Sequence, residues 1–353
     1  MRHGKRNQGF SLIEMMVALT ISLIVLTAAL QALNNVTRSN EVVIQLAEMQ
    51  QNLRAGINLI VRDAMQAGQG IPTGGIPLPS GAVVQPIVRP GPPGFSYTFP
   101  LGTTSVSAVL PGAGMGPVME GQNTDMVTFL YADSTLPLNQ TPLTAIAVDG
   151  SSMTVDAGTP INDASNGIRP GDLILFSNAN GNALQEVTST LAQGQVVSFD
   201  GGDPLNLNQR NAPNGTILCL QNEAGGGNPN DCSDNSGGWP VTTATRVWMI
   251  TFYLDALSNP AQPRLVRRIG ANSGRAVSDS IENVQLSFDL IDGVTNPVNV
   301  KTPTAPNSPN QIRRINLFLA GRSNGTYSQT AEFFRNSLAT QISLRSLALV
   351  NRY

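Results

Sequence analysis

Few side chains in this sequence could do chemistry. The one histidine, His3, sits in a short basic stretch, MRHGKRNQG. A serine triad, a histidine general base and a histidine metal ligand all need an imidazole. A chain processed beyond His3 therefore has none of them. Cys219 and Cys232 are too few for an all-cysteine zinc site and, without histidine, too few for a mixed one. Lys5 and Lys301 are the only lysines, so a lysine phosphate or Schiff-base site has almost no candidates. Asp279, Glu282, Asp289 and Asp292 fall near expected strand ends, where solvated acids are ordinary, and nothing places two of them around a pocket for acid–base work. Trp239, Trp248, Phe252 and Tyr253 could form a stacking surface, but Trp248 and Phe252 share a strand face with Ile250 and read as core. The net charge of −2 gives no basic footprint for nucleic acid. The expectation is no enzyme, no cofactor, no resident metal and no nucleic-acid partner.

One acid stands apart. Phe10 to Leu33, FSLIEMMVALTISLIVLTAALQAL, has a single charge, Glu14. As a helix this run spans roughly 36 Å against a bilayer core of about 30 Å. Arg2, Lys5 and Arg6 precede it, which predicts a cytoplasmic N-terminus and an outward-facing remainder. A secretory signal cleaved near Ala28–Ala29 would have a shorter apolar run and would leave Glu14 unexplained. An acid inside a membrane helix is costly and marks function by default.

Downstream, Val43, Leu46, Met49, Leu53, Ile57, Ile60 and Ala64 follow a helical period. Gly68, Gly70 and Pro72 end it. The spacing predicts a single helix from Phe10 to about Ala67, its second half covered by the body of the protein. Residues 69–123 are rich in glycine and proline and read as an irregular connection, with short strands over Ala82–Val88 and Ser105–Leu110. From residue 124 the pattern is all-β. Short runs such as Met126–Tyr131, Asp172–Ser177, Gln185–Ser189, Thr216–Leu220 and Thr242–Leu254 are separated by turn residues. Arg264–Ile269, Val284–Ile291, Arg313–Leu319 and Ala339–Leu349 complete the series. Such spacing predicts antiparallel sheets.

The sequence Gly9-Phe10-Ser11-Leu12-Ile13-Glu14 resembles the processing signal of type IV prepilins and type II secretion pseudopilins. The resemblance implies cleavage by prepilin peptidase between Gly9 and Phe10 and methylation of the new Phe10 amine. Glu14 would then pair with an amino terminus during assembly, supplying the cation that a carboxylate in an apolar bundle needs. INLIVRDAMQAGQG, with Arg62, Asp63, Ala67 and Gly68, resembles the helix end of PilW/PulJ-type minor pilins. NTDMVTFLYAD, GIRPGDLILFSNANGNALQEVTS, the strand series from RVWMITFYLD to IENVQLSFDLID, and RNSLATQISLRSLALVNRY resemble later parts of PilW-like proteins in the same order. The helix departs from many major pilins in having Gln31 where a proline would sit, and residues 68–123 have no counterpart.

The fold implied is α+β and pilin-like: a long N-terminal helix, membrane-spanning in its first half, packed on an antiparallel β head with extra β-rich insertions. The divisions expected are a cleaved leader (1–9), a transmembrane half-helix (10–33), a periplasmic half-helix (34–68), the connection (69–123) and the head (124–353). The function implied is that of a structural minor pilin in type IV pilus initiation. It would lie in the inner membrane with its head in the periplasm, and later in the pilus. Implied partners are the prepilin peptidase, other minor and major pilins, the inner-membrane assembly platform and the lipid bilayer. A PulJ-like pseudopilin of type II secretion and a pilus-tip adhesin are the alternatives. In the oxidising compartment this topology assigns, Cys219 and Cys232 are expected to form a disulfide around the loop LQNEAGGGNPND. Asn228, Asn230, Asp231, Asp234 and Asn235 there could supply oxygens to calcium, but they fit no EF-hand and are equally ordinary turn residues.

Overall fold

The structure is a computed structural model that describes residues 9–348, apart from 101, 137, 160, 164, 192, 194, 224–227, 229, 292–295 and 328–330. Most of the expected leader, together with Asp292 and Leu349, the last residue of the expected terminal strand, lies outside the described residues. Helix α1 runs Leu12–Gln66, 55 residues, or roughly 82 Å. It starts two residues later than the spacing predicts because Ser11 acts as its N-cap in extended conformation. It stops where Gly68 enters the left-handed region at φ 85°.

Ten strands build the two main sheets. They are β1 (Val109–Gly112), β2 (Met126–Ala132), β3 (Leu173–Asn178), β4 (Gly181–Glu186), β5 (Thr243–Asp255), β6 (Arg264–Ile269), β7 (Arg275–Asp279), β8 (Ile281–Leu290), β9 (Ile312–Thr326) and β10 (Phe333–Ser343). The first seven form one antiparallel sheet. Its axis is β5, long enough to serve several partners. Val247 pairs with Leu173 on one edge and Ala132 on the other, and from Ile250 onward the β3 edge passes to β6. The last three strands form a second antiparallel sheet in the order β8-β9-β10.

The main core lies where α1 meets both sheets. Met49, Leu53, Ile60 and Ala64 of the helix join Phe129, Phe252, Leu265, Phe288, Ile315 and Leu319. The helical stripe is displaced from the predicted one: Val43 is 64% exposed, and Gly56 and Asp63 are buried instead. A second core gathers Ile76, Leu78, Ile87, Phe99 and Val106 from the Gly/Pro-rich segment against Leu130, Leu175 and Met249. That segment also supplies β1 to the large sheet. A third core lies under a small four-stranded sheet over residues 145–198, with Phe176 edge-on to Phe199.

Several expected strands differ. Ile217–Leu220 is a short 3₁₀ turn; its run of apolar residues has no alternation, and three of the four are buried. The run Gln185–Ser189 divides between β4, which begins earlier at Gly181, and a short strand at Ser189–Leu191. Residues 82–87 lie outside any strand. The terminal strand ends at Ser343, and the chain turns into a short helix, α2 (Arg345–Ala348), whose Leu347 packs beside Gly68.

Candidate functional site

The first half of α1 concentrates the sequence-level candidates. Gly9 and Phe10 are exposed, Phe10 by 86%. Ser11 caps the helix: its hydroxyl accepts the Ile13 N–H at 3.3 Å, and Glu14 Oε2 accepts the Ser11 N–H at 3.0 Å. Together they form a capping box. This role of Glu14 escapes the sequence reading above, although Ser-x-x-Glu before an apolar run is its signature. The box holds the carboxylate one residue from the Phe10 nitrogen.

Beyond this turn the helix is uncovered. Leu12, Ile13, Met15, Met16, Leu19, Ile24 and Leu33 are all more than half exposed. The threonine hydroxyls in this stretch are satisfied from within. Thr20 donates to the Val17 carbonyl at 2.8 Å, Thr27 to Leu23 at 2.7 Å and Thr37 to Leu33 at 2.9 Å. An apolar medium demands this, since an unpaired hydroxyl there is costly. The helix is long and apolar enough to cross a membrane, and none of its apolar window is buried by the head.

The other end of α1 is a lock. Asp63, 1% exposed, accepts Arg267 Nε at 2.6 Å from β6 and the Tyr131 hydroxyl at 3.3 Å from β2. Burial, with the Asp63 charge beside it, pushes the Tyr131 phenol up to about 12, so it stays a donor. After the helix, the Gly68 N–H donates to Leu130 at 2.9 Å and the Ala132 N–H donates to Gln69 at 2.7 Å. A Cβ on Gly68 would come within 2.6 Å of Leu347, and one on Gly70 within 2.5 Å of Ala132. The Arg-Asp-x-x-x-Ala-Gly pattern is thus the joint between helix and head.

Cys219 and Cys232 form a disulfide, with Cα atoms 4.5 Å apart. In the loop it closes, Asp231 accepts both the N–H and the hydroxyl of Ser233, and Asn228 accepts the Asn230 N–H at 3.1 Å. These are turn roles. Among the described residues no group of three or more His, Cys, Asp or Glu side chains is placed to hold a metal ion. Trp248 is half-buried against the main core rather than part of it, whereas Phe252 and Ile250 are fully buried.

The acids Glu282 and Asp289 are not solvated strand ends. Both are buried, and the strands beside theirs in the same sheet, β9 and β10, supply donors. Glu282 pairs with Arg335 at 2.7 Å, and Asp289 accepts from Asn316 and Gln341. A further buried acid, Glu186 at the end of β4, accepts the Leu205 N–H at 2.9 Å. Burial first, and then the adjoining Asp203 carboxylate, push its carboxyl up to about 8.

The prokaryotic N-terminal methylation motif matches residues 4–30 of the chain. No curated protein matches the sequence. Among solved structures, a type IV-like pilin from Thermus thermophilus is similar at 12% identity, over 51% of this chain and 87% of that one, with a TM-score of 0.18. At that score the likeness carries no argument. The chain therefore bears an N-terminal methylation motif at the start of a long, uncovered apolar helix, followed by a head of antiparallel sheets.

Proposed function

We propose that this protein is a PilW-like minor pilin, a structural subunit that takes part in starting a type IV pilus. The observation that carries this reading is the coincidence of the methylation motif with a helix whose first half the head leaves bare. A bare apolar helix needs lipid or other helices around it. In the membrane, Phe10–Leu33 matches the hydrocarbon thickness. In a filament the same surface packs against the helices of other pilins. The leader lies in the cytoplasm, prepilin peptidase cuts between Gly9 and Phe10, and the head stands in the periplasm, where the Cys219–Cys232 bond is stable. Glu14 then pairs with the new Phe10 amine of the same or a neighbouring subunit. Its place in the capping box supports this, since the box already holds the carboxylate against the first turn. The reading gives the chain no catalytic role.

Intact mass and N-terminal sequencing of the membrane-extracted protein test it. The expected start is N-methyl-Phe10. A start near Gln31, or an unprocessed Met1 in cells that contain the peptidase, overturns the proposal.

A further inference from the structure

Beside the helix–head joint lies a cavity of about 740 Å³. Arg62 of α1, Arg246 of β5, Arg267 of β6, Arg275 of β7 and Arg169 from the loop before β3 all line it, with Trp248 on its wall. Asp172 is the acid in the lining. Asp63 and Asp133 lie behind, each already engaged by Arg267 or Arg246. Five guanidinium groups thus meet four carboxylates, Asp163 beside Arg169 being the fourth, in a chain where acids outnumber bases by 23 to 21. The excess is local and positive.

The floor of the cavity is rigid. The Arg246 side chain is 4% exposed, donates to Asp133 Oδ2 from Nε at 2.8 Å and from a terminal nitrogen at 2.5 Å, and donates to the Gly167 carbonyl at 2.8 Å. It reaches Asp172 at 3.3 Å and lies 4.9 Å over the Trp248 ring. The mouth is open. Arg62 is 58% exposed and only 3.5 Å from Asp63, and Arg275 is exposed and absent from every ion pair among the described residues. Exposed arginines at the rim of a braced, aromatic-walled cavity are suited to grip an anion that enters from solvent.

We propose that this cavity binds a small organic anion carrying carboxylate, sulfate or phosphate groups. Its volume lies within the roughly 300–1,000 Å³ of small-molecule sites, which favours a small ligand over a macromolecular surface. Leu59, Ile269 and Val277 give it an apolar wall, so a carbon skeleton fits there better than a bare ion. Lipid headgroups at the membrane face are out of reach: the helix rises roughly 44 Å from Leu33 to Arg62.

Calorimetry on the full, detergent-solubilised chain tests this, with inorganic phosphate, sodium sulfate and digalacturonate as separate probes. Saturable binding of at least one is expected. Phosphate or sulfate binding alone assigns a phospho- or sulfo-ligand, and digalacturonate binding alone assigns a carboxylate sugar. Removing a charge-assisted contact at each of two positions in Arg62→Gln/Arg275→Gln should raise Kd by about tenfold or more. If the double variant unfolds earlier than wild type, Arg275→Gln alone, on an exposed strand position, serves as the reading and should still weaken binding several-fold. No saturable binding of any probe, or an unchanged Kd in the variants, overturns the proposal.

Discussion

Glu14 has two jobs that a substitution can separate. In the single chain it caps Ser11; in the proposed assembly it neutralises an amino terminus. Glu14→Leu removes both, at a capping cost of about 1 kcal/mol confined to the first turn. Normal cleavage and membrane insertion are expected, with poor incorporation beside partner pilins, read by piliation and co-purification. Unchanged piliation would remove Glu14 from assembly. Asp63 is the residue on which the helix–head joint depends. Asp63→Ala leaves Arg267 without its buried partner and should lower the unfolding free energy by about 3 kcal/mol. Tyr131→Phe, which removes one hydroxyl donor, should cost about 1 kcal/mol; denaturant midpoints separate the two. Glu186 sets a pH dependence. Its folded value of about 8 stands above the ordinary 4.5, so the folded head holds a proton that the unfolded chain has already released. Stability should therefore fall as pH rises from about 4.5 to about 8 and level off above it. Glu186→Gln keeps the acceptor for the Leu205 N–H and should flatten that slope in thermal melts taken across the range.

At the scale of elements, the covered half of α1 is held by close approach. A Cβ built on Gly56 would already meet Leu265 at 3.0 Å and Ser278 at 3.5 Å. Gly56→Leu should force the helix off the sheet and cost about 1–3 kcal/mol by overpacking. Circular dichroism melts check this, with the exposed neighbour Ala55→Leu expected to be near neutral. The long helix was legible from the sequence because its apolar run, its 3.6 period and its terminal glycines agree. The stripe was read slightly wrongly because Gly56 and Asp63, neither of them apolar in type, occupy the closest contacts. One is there for its lack of a side chain, the other for its charge partners on β2 and β6. Strands with alternation, such as β8 and β9, were also legible. Ile217–Leu220 was not: a four-residue apolar run with three of its side chains buried has no period, and a turn and a strand look alike there. The Arg-Asp-x-x-x-Ala-Gly pattern was visible as a resemblance, but its purpose was not. Its contacts lie with Tyr131 and Arg267, far along the chain.

For the molecule as a whole, the disulfide belongs to the third core, where Ile217, Leu218 and Leu220 flank Cys219 and no residue of α1 takes part. Opening the loop of 13-residue separation should cost about 3 kcal/mol in the chain-entropy model. Reduction should thus lower the melting temperature of the head without releasing the helix. The intact chain should show a mass lower by the two thiol hydrogens, and Cys219→Ser/Cys232→Ser should melt like the reduced protein. The position of the Asp63 joint has a mechanical consequence. It lies at the far end of α1, while the bare end lies roughly 80 Å away. A pull between head and bare end therefore runs parallel to the packed face of the helix. Met49, Leu53, Gly56 and Ile60 would all slide at once, so the load is shared in shear rather than peeled from one contact. The bonds of Asp63 and Gly68 would carry part of the same load, and the head would behave as a weight fastened near the tip of a stiff rod.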